Sequence, residues 1–235
     1  MFKNVACWMP VLAMVVGVGS ASAQVVVVPA GHGVLEDIEL RQLAIGEPAP
    51  KFELFGVDFR YHSLDLYQDR KVLVVVFTCN HCPVSQDYEE TLIELANKYQ
   101  KKGVQFIAIN PNPGEKVAAD SFPQMIERAK KKRYPFPYLY DETQKTARAY
   151  GAECTPHVFV FGPDRRLVYK GAIDNFHNRP FYLADALDAV LEGRKVQTPV
   201  MREGMGDHKV FGCTIKYRTQ KEQDERKRRI LSQAK

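Results

Sequence analysis

Apolar segments along this chain have the spacings of buried strands and of amphipathic helices in turn. Val72–Phe77 is continuously apolar and mostly β-branched, which predicts a strand buried on both faces. In residues 84–99, apolar side chains recur at three- and four-residue steps, which predicts one helix with an apolar face. Residues 104–109 predict a second buried strand, and a loop rich in Asn, Pro and Gly follows it at 110–114.

The second half of the chain continues this alternation. Ser121 followed by Gln124 has the spacing of a helix-capping box, and the basic residues 130–133 suit the C-terminal end of the same helix. The later predicted elements are a short strand at 136–140, a short helix at 143–150 closed by Gly151, a hairpin formed by 158–161 and 167–169 around the turn 162–165, and a final helix at 181–191. This order predicts an α/β fold, with a central mixed β-sheet flanked by helices on both faces.

The N-terminal residues have the composition of a secretory signal peptide. Lys3 is the only Lys, Arg, Asp or Glu before Glu36, residues 10–19 are mostly apolar, and residues 21–23 are small, as at a signal-peptidase site. The apolar stretch is short for a membrane span. We therefore expect cleavage near Ala23 and export to the periplasm or the extracellular space.

The length that remains suits one domain with extensions. We divide the chain into a signal peptide (1–23), an N-terminal extension (24–44), a domain (45–195) and a C-terminal extension (196–235). The formal net charge of +5 equals the basic surplus of residues 216–235, which contain eight Lys or Arg and three Asp or Glu. Because acidic residues lie close by and no aromatic residue follows Tyr217, we expect a mobile, solvated basic tail rather than a nucleic-acid site.

The most informative motif is Cys79-Asn80-His81-Cys82, just after the first predicted strand. A Cys-x-x-Cys pair at the start of a helix is typical of thiol-disulfide chemistry, because amide hydrogens and the helix dipole stabilise a thiolate there. We therefore predict that Cys79 has a lowered pKa and is the nucleophile, and that Cys82 is the resolving thiol. Protonated His81 would add positive charge beside the thiolate and make the pair a stronger oxidant.

Other uses of the cysteines stay open on the sequence alone. A zinc site would need two further ligands, for which Cys154 and His157 are the candidates, and a purely structural disulfide across so short a loop would contribute little stability. Cys213 has three candidate roles: a third redox cysteine, a disulfide partner of Cys154, or a buried thiol. If Cys7 is lost with the signal peptide, four cysteines remain in a compartment where disulfides persist.

The order of elements, with Cys-x-x-Cys after the first central strand, resembles the thioredoxin fold. Finer motifs resemble a redoxin or peroxiredoxin-like group related to alkyl hydroperoxide reductase and thiol-specific antioxidant proteins; they lie at 46–54, 78–83, 154–156 and 212–216. The resemblance implies a thioredoxin-like domain with N- and C-terminal extensions and a cis peptide bond before Pro156. It also implies that Pro156 and the Thr155 backbone dock the extended chain of a substrate, and it makes Thr78 a further candidate for substrate binding.

These residues together predict an exported thiol-disulfide oxidoreductase. Its expected partners are protein thiols and disulfides, with a membrane-bound or thioredoxin-like protein as a candidate electron donor. We expect no cofactor and no metal, and we count Cys154 and Cys213 as candidates for additional redox roles. The direction of electron flow and the oligomeric state do not follow from the sequence.

A peroxiredoxin-like thiol peroxidase is the first alternative function. Peroxiredoxins resemble one another in a Pro-x-x-x-Thr-x-x-Cys loop. In this chain Val72 and Val76 occupy the proline and threonine positions before Cys79. Counting back from Cys82 places Val75 and Cys79 there instead. Neither frame fits, so the sequence does not predict the specialised peroxide pocket.

A copper-binding thioredoxin-like protein is the second alternative, and it is not an enzyme. Its ligands would be the two motif thiolates and one histidine. The candidate histidines are His81, His157 and His177. The similar copper-binding family usually has a Cys-x-x-x-Cys spacing, which is one residue wider than the spacing here.

Overall fold

A computed structural model describes residues 40–175, 181–197 and 212–233. The predicted signal peptide, most of the predicted N-terminal extension and His177 lie outside these residues. By its contacts the chain divides after Leu35, and every described residue belongs to the unit Glu36–Lys235. None of the described helices is both long enough and apolar enough to cross a membrane.

The described residues form nine strands and six α-helices. The strands are β1 (Glu53–Gly56), β2 (Tyr61–Ser63), β3 (Val72–Phe77), β4 (Val104–Asn110), β5 (Tyr138–Tyr140), β6 (Cys154–Thr155), β7 (His157–Phe161), β8 (Leu167–Gly171) and β9 (Cys213–Thr214). The helices are α1 (Pro83–Asp87), α2 (Glu89–Gln100), α3 (Phe122–Lys132), α4 (Lys145–Tyr150), α5 (Tyr182–Leu191) and α6 (Gln220–Gln233). Short 3-10 helices cover Leu64–Tyr67 and Ala118–Asp120.

Seven strands form one mixed sheet in the order β2-β1-β5-β4-β3-β7-β8. β4 is parallel to both of its neighbours, β3 and β5, whereas β7 is antiparallel to β3 and β8. The sheet and the helices that flank it confirm the α/β, thioredoxin-like fold that the sequence predicts. β6 and β9 form a separate two-stranded sheet, which the sequence pattern does not predict.

The core has two main layers because side chains of β3 point alternately to opposite faces of the sheet. The even-numbered residues of 72–76 pack in a buried cluster with residues of α2 and α5. The odd-numbered residues of 73–77 pack in another cluster with residues of α4. A continuously apolar strand is what a sheet covered on both faces requires.

The helix predicted at 84–99 is interrupted, so its predicted continuity is wrong. α1 ends at Asp87 and α2 begins at Glu89, with Tyr88 between them at φ −91° and ψ 0°. The apolar face is nevertheless kept, since Tyr88 is buried in the same cluster as Leu92 and Ala96 of α2. The spacing of the apolar residues is the same on both sides of Tyr88. For this reason the sequence pattern could not reveal the break between α1 and α2.

Most of the other predicted elements are confirmed with slightly different ends. α3 begins after Ser121, although the Ser121 side chain makes no capping hydrogen bond. α4 ends at Gly151, whose φ of 66° is in the left-handed region that favours glycine. β7 and β8 form the predicted hairpin around Gly162. The helix predicted to be final corresponds to α5, but α6 follows it.

The beginning of the basic tail is anchored on the domain, so the prediction of a mobile, solvated tail is wrong there. Arg218 is buried, and its guanidinium donates to the Glu115 carboxylate (2.7 Å) and to the Glu142 carbonyl oxygen (2.5 Å). Thr219 and Glu222 then form a reciprocal capping box that starts α6. α6 itself has no buried residue and lies on the surface.

Candidate active site

Both cysteines of the motif lie where the central strand ends. Cys79 comes two residues after β3, and Cys82 is the N-cap residue of α1. Thr155 lies against them, because β7 begins two residues later, directly after Pro156, and pairs with β3. Cys79 Sγ is 3.1 Å from Thr155 Oγ1, and Cys82 Sγ is 3.0 Å from the Thr155 carbonyl oxygen. The Thr155–Pro156 peptide bond is cis, as predicted.

A buried carboxylate, which sequence reasoning missed, holds the loop between the two cysteines. Asp120 is 0 % exposed, and its Oδ1 accepts the backbone N–H groups of Asn80 (2.7 Å) and His81 (3.0 Å). Its Oδ2 accepts from Asn112 Nδ2 (2.9 Å) and His81 Nδ1 (2.5 Å). Four donors supply what a buried carboxylate needs. The residue lies in a segment without a motif, so no signal in the sequence marked it.

His81 links this carboxylate to Cys79. Its Nδ1 is 2.5 Å from Asp120 Oδ2 and 3.3 Å from Cys79 Sγ. A proton on Nδ1 is therefore shared between the carboxylate and the sulfur. The structure thus places His81 beside Cys79, but as a hydrogen-bond donor tied to a negative charge rather than as an isolated cation.

Cys82, rather than Cys79, occupies the helix N-terminus. The N-cap position puts Cys82 next to the unpaired backbone N–H groups of the first turn of α1, although its side chain makes no capping hydrogen bond. The backbone N–H of Cys213 donates to Cys82 Sγ, at 3.3 Å. The sulfur of Cys82 therefore has one backbone donor and lies at the positive end of the helix dipole.

The two motif cysteines move each other's pKa values in opposite directions. The neighbouring Cys79 thiol lowers the pKa of Cys82, and the backbone N–H groups of Ser85 and Cys213 lower it further against the effect of burial. The neighbouring Cys82 raises the pKa of Cys79, and burial and the negative charge of Asp120 also raise it, while the Thr155 hydroxyl lowers it. The predicted lowering of the Cys79 pKa is therefore wrong for the resting pair, because the helix N-terminus acts on Cys82.

When the two motif cysteines share one proton, either Cys79 or Cys82 can carry it. On Cys79 it leaves a Cys82 thiolate that accepts the Cys213 N–H and lies at the N-terminus of α1. On Cys82 the S–H donates to the Thr155 carbonyl oxygen, and a Cys79 thiolate can then accept from Thr155 Oγ1 and His81 Nδ1. Only a thiolate attacks a disulfide. The second arrangement is therefore the one that makes Cys79 a nucleophile.

Thr78, the other candidate for substrate binding, lies differently from Thr155. It is buried, and its backbone N–H donates to the Ile109 carbonyl oxygen (2.9 Å), which extends the pairing of β3 with β4. Thr155 contacts Cys79 Sγ through its hydroxyl and Cys82 Sγ through its carbonyl oxygen. The substrate-binding roles of Thr78, Thr155 and Pro156 stay predictions.

Cys154 and His157 do not join the motif cysteines in a group of metal ligands, which is what the zinc alternative required. Cys154 Sγ is 4.0 Å from the Pro156 carbonyl oxygen, and His157 packs against the ring of Phe159. Burial lowers the pKa of His157 to about 3. β9 places Cys213 opposite Thr155 rather than opposite Cys154.

A different set of side chains among the described residues could hold a metal ion. Cys79 Sγ, His81 and Asp120 offer ligand atoms that all lie within 4.8 Å of one another. Sulfur, imidazole nitrogen and carboxylate oxygen together suit zinc or copper. This set shares Cys79 and His81 with the predicted copper site, but a carboxylate replaces the second thiolate.

Comparison with known proteins identifies the family. Residues 45–170, more than half of the chain, match the model described as the AhpC/TSA family. The chain belongs to the AhpC/TSA family. This confirms the redoxin resemblance inferred from the sequence motifs. The matched region of this AhpC/TSA protein contains Cys79, Cys82, Asp120 and Pro156, and it ends before Cys213.

This AhpC/TSA protein is similar to several other proteins, of which three follow. The thiol-disulfide oxidoreductase ResA of Geobacillus thermodenitrificans (strain NG80-2) is 29% identical over 125 residues, which are 52% of this chain and 66% of that protein. The chain thus spans just under two thirds of the length of this curated relative. An uncharacterized conserved protein from Geobacillus kaustophilus is 39% identical, with a TM-score of 0.66 over 75% of this chain and 94% of that chain. A hypothetical protein from Sinorhizobium meliloti 1021 is 32% identical, with a TM-score of 0.67 over 76% and 97% of the two chains.

Proposed function

We propose that this AhpC/TSA protein is a thiol-disulfide oxidoreductase that exchanges disulfides through Cys79 and Cys82. The proposal rests on one observation, the approach of both motif sulfurs to Thr155 next to the cis Pro156: Cys79 Sγ is 3.1 Å from Thr155 Oγ1, and Cys82 Sγ is 3.0 Å from the Thr155 carbonyl oxygen. Two thiols so close together can form a disulfide and release a mixed-disulfide partner. The name of the curated relative supports the same chemistry.

Reduction of a client disulfide would proceed in two exchanges. The proton of Cys79 moves to Cys82, and the Cys79 thiolate attacks one client sulfur; a bond from Cys79 to the client forms, the client S–S bond breaks, and the leaving client thiolate takes up a proton. Cys82 then loses its proton and attacks Cys79 Sγ. The Cys79–Cys82 disulfide forms, and the second client sulfur leaves as a thiol. Two electrons pass from the cysteine pair to the client, and oxidation of a client is the reverse.

The neighbouring side chains have distinct parts in this scheme. Thr155 Oγ1 and His81 Nδ1 stabilise the Cys79 thiolate through the contacts described above. Asp120 is a positioning residue, since it orients His81 and the loop that carries it. The Thr155 backbone and Pro156 shape the groove for the client chain.

We also propose export, with protein thiols and disulfides as clients. Residues 1–23 support export through their composition, and the exchange steps involve only sulfur atoms and need no cofactor. A thioredoxin-like or membrane-bound donor would have to re-reduce the protein if it acts as a reductant. N-terminal sequencing of the protein recovered from a secreting host should give Gln24 as the first residue, and Met1 at the start would contradict cleavage.

The decisive experiment is an equilibrium redox titration of the full chain in glutathione buffers. All variants carry Cys7→Ser, so that the cysteine of the predicted signal peptide cannot exchange. We expect a reversible two-electron couple that peptide mapping assigns to a Cys79–Cys82 disulfide, and this disulfide is absent from Cys79→Ser and from Cys82→Ser. A Cys154→Ala variant is the matched control, because this cysteine packs in the core, and it should keep the couple. A chain without any such couple would contradict the proposal, and the value of the potential would separate an oxidant from a reductant.

Metal binding is a second candidate function, favoured by the group of Cys79, His81 and Asp120. Titration of the reduced chain with Zn²⁺ or Cu⁺ would reveal it as tight binding of one ion that Asp120→Asn weakens. Peroxidase activity has no comparable support, since Val76, at the threonine position of peroxiredoxins, is buried in the core. Hydrogen peroxide consumption no faster than that of a low-molecular-weight thiol is the expected result.

A further inference from the structure

We propose that Cys213 is a third redox-active cysteine that exchanges with Cys82, an inference that rests on the proposed thiol-disulfide function and deepens it. Strand β9 delivers Cys213 to the motif as an internal substrate. The family match ends at residue 170, so this residue lies outside the part of the chain that the family defines.

The geometry brings Cys213 directly to the second motif cysteine. β9 pairs antiparallel with β6, with Cys213 opposite Thr155 and Thr214 opposite Cys154. The Cys213 backbone N–H donates to Cys82 Sγ at 3.3 Å. Cys213 is thus within exchange reach of the sulfur that the proposed mechanism uses for resolution.

The position of Cys213 is fixed from both sides. At Gly212 a Cβ atom would lie 1.9 Å from the Thr155 carbonyl oxygen, so only glycine permits this approach. On the other side, the Ile215 N–H donates to the Glu153 carbonyl oxygen (3.0 Å) and the Lys216 N–H donates to Asn112 Oδ1 (2.9 Å). Contacts before and after Cys213 therefore hold it against the site. A segment without a role at the site would not require such contacts on both sides.

Accessibility separates Cys213 from the other cysteine near the site. Cys213 is partly exposed, whereas Cys154 is buried, with its sulfur directed at a carbonyl oxygen. A partly exposed thiol such as Cys213 can lose its proton directly to water before it exchanges, and the buried Cys154 cannot.

The exchange step is an isomerisation of one disulfide. Starting from the Cys79–Cys82 disulfide, Cys213 loses its proton to water and its sulfur attacks Cys82 Sγ. The Cys82–Cys213 bond forms and the Cys79–Cys82 bond breaks. Cys79 leaves as a thiolate and takes up a proton. No net electron is gained or lost, so no further oxidant is needed, and Cys79 is set free while the disulfide is kept.

The test uses the full chain with Cys7→Ser and Cys79→Ser, in which the motif disulfide cannot form. After equilibration with oxidised glutathione and alkylation of the remaining thiols, peptide mapping by mass spectrometry should detect a Cys82–Cys213 link within one chain. The link should be kept with Cys154→Ala and lost with Cys213→Ala. Gly212→Ala blocks the approach of β9 but keeps Cys82, Cys154 and Cys213. It should reduce the yield of the Cys82–Cys213 link at least severalfold.

The possible outcomes separate the two proposals. The role of Cys213 is overturned if the Cys79→Ser variant gives no Cys82–Cys213 link. It would then show nothing but glutathione adducts, links between chains or a link to Cys154. An unchanged yield with Gly212→Ala would overturn delivery by β9. The proposed function is judged separately, by the Cys79–Cys82 couple of the chain that retains Cys79; its absence contradicts that function whatever the variant shows.

Discussion

The hydroxyl of Thr155 provides the sharpest test of how Cys79 becomes a nucleophile. Thr155→Val removes Oγ1, which is 3.1 Å from Cys79 Sγ, while it keeps the β-branched shape at a fully buried position. A hydrogen bond to a charged group contributes about 1.5–3 kcal/mol, and one to a neutral group about 0.5–1.5 kcal/mol. The thiolate therefore loses about 1–1.5 kcal/mol more than the thiol does.

This difference converts to a shift in titration. Since about 1.4 kcal/mol corresponds to one pKa unit, the pKa of Cys79 should rise by about one unit. At a pH below the titration midpoint, the thiolate fraction should then fall about tenfold. Because only the thiolate is alkylated, the rate of alkylation of Cys79 by iodoacetamide should fall by the same factor.

The assay follows alkylation across a pH series, with fragment mass spectra that distinguish Cys79 from Cys82. Thr78→Val is the matched control, because it makes the same chemical change at a buried threonine next to Cys79 in sequence. The structure gives Thr78 a backbone bond to β4 and no bond to the sulfur among the described contacts, so its alkylation profile should match that of the parent. Equal profiles for Thr155→Val and the parent would refute the assignment of Thr155 as a donor to the thiolate.

Three further predictions concern stability. Asp120→Asn replaces an acceptor of four hydrogen bonds by an amide that cannot accept them all, so the free energy of unfolding in urea should fall by about 1–3 kcal/mol; an unchanged midpoint would contradict this. The pKa of His157 is about 3 in the folded chain and about 6.5 in the unfolded chain, so only the unfolded chain binds this proton as the pH falls to 5. Through this group the free energy of unfolding of the parent should fall by about 2 kcal/mol between pH 7 and pH 5. In His157→Leu the free energy of unfolding should lack this dependence on pH. Arg218→Met removes the buried anchor of α6, so limited proteolysis should cleave 219–233 severalfold faster, and equal cleavage rates would show that the anchor lies elsewhere.

The sequence predicted those elements well whose formation depends on residues close together in the chain. The apolar run of β3, the hairpin of β7 and β8 and the glycine that ends α4 each depend on residues close in sequence. Capping shows the limit of such signals. The spacing of Ser121 and Gln124 matches a capping box that the structure does not form, whereas Thr219 and Glu222, with an equivalent spacing, form one. Spacing makes a capping box available, and tertiary contacts decide whether it forms.

The site was less predictable because its decisive contacts join distant segments. The motif itself named the two cysteines and His81, and the family resemblance named the cis Pro156. The predicted helix start at residue 84 is one residue from the observed start at Pro83, but it is Cys82, not Cys79, that lies at the N-cap and receives the effect of the helix N-terminus. Asp120 could not be found at all, since a carboxylate becomes part of the site only when the loop after β4 folds back under the motif.

Client docking and the contact of Cys213 compete for the same backbone. If a client chain pairs with Thr155, as we propose, it must first displace β9, because Cys213 already lies opposite that residue. Displacement also withdraws the Cys213 N–H from Cys82 Sγ, and this removes a backbone donor that stabilises the Cys82 thiolate. The negative charge is then held less firmly on Cys82, so a proton transferred from Cys79 is accepted more readily. Departure of β9 would therefore open the groove and favour the Cys79 thiolate in the same step, which couples client arrival to activation of the nucleophile.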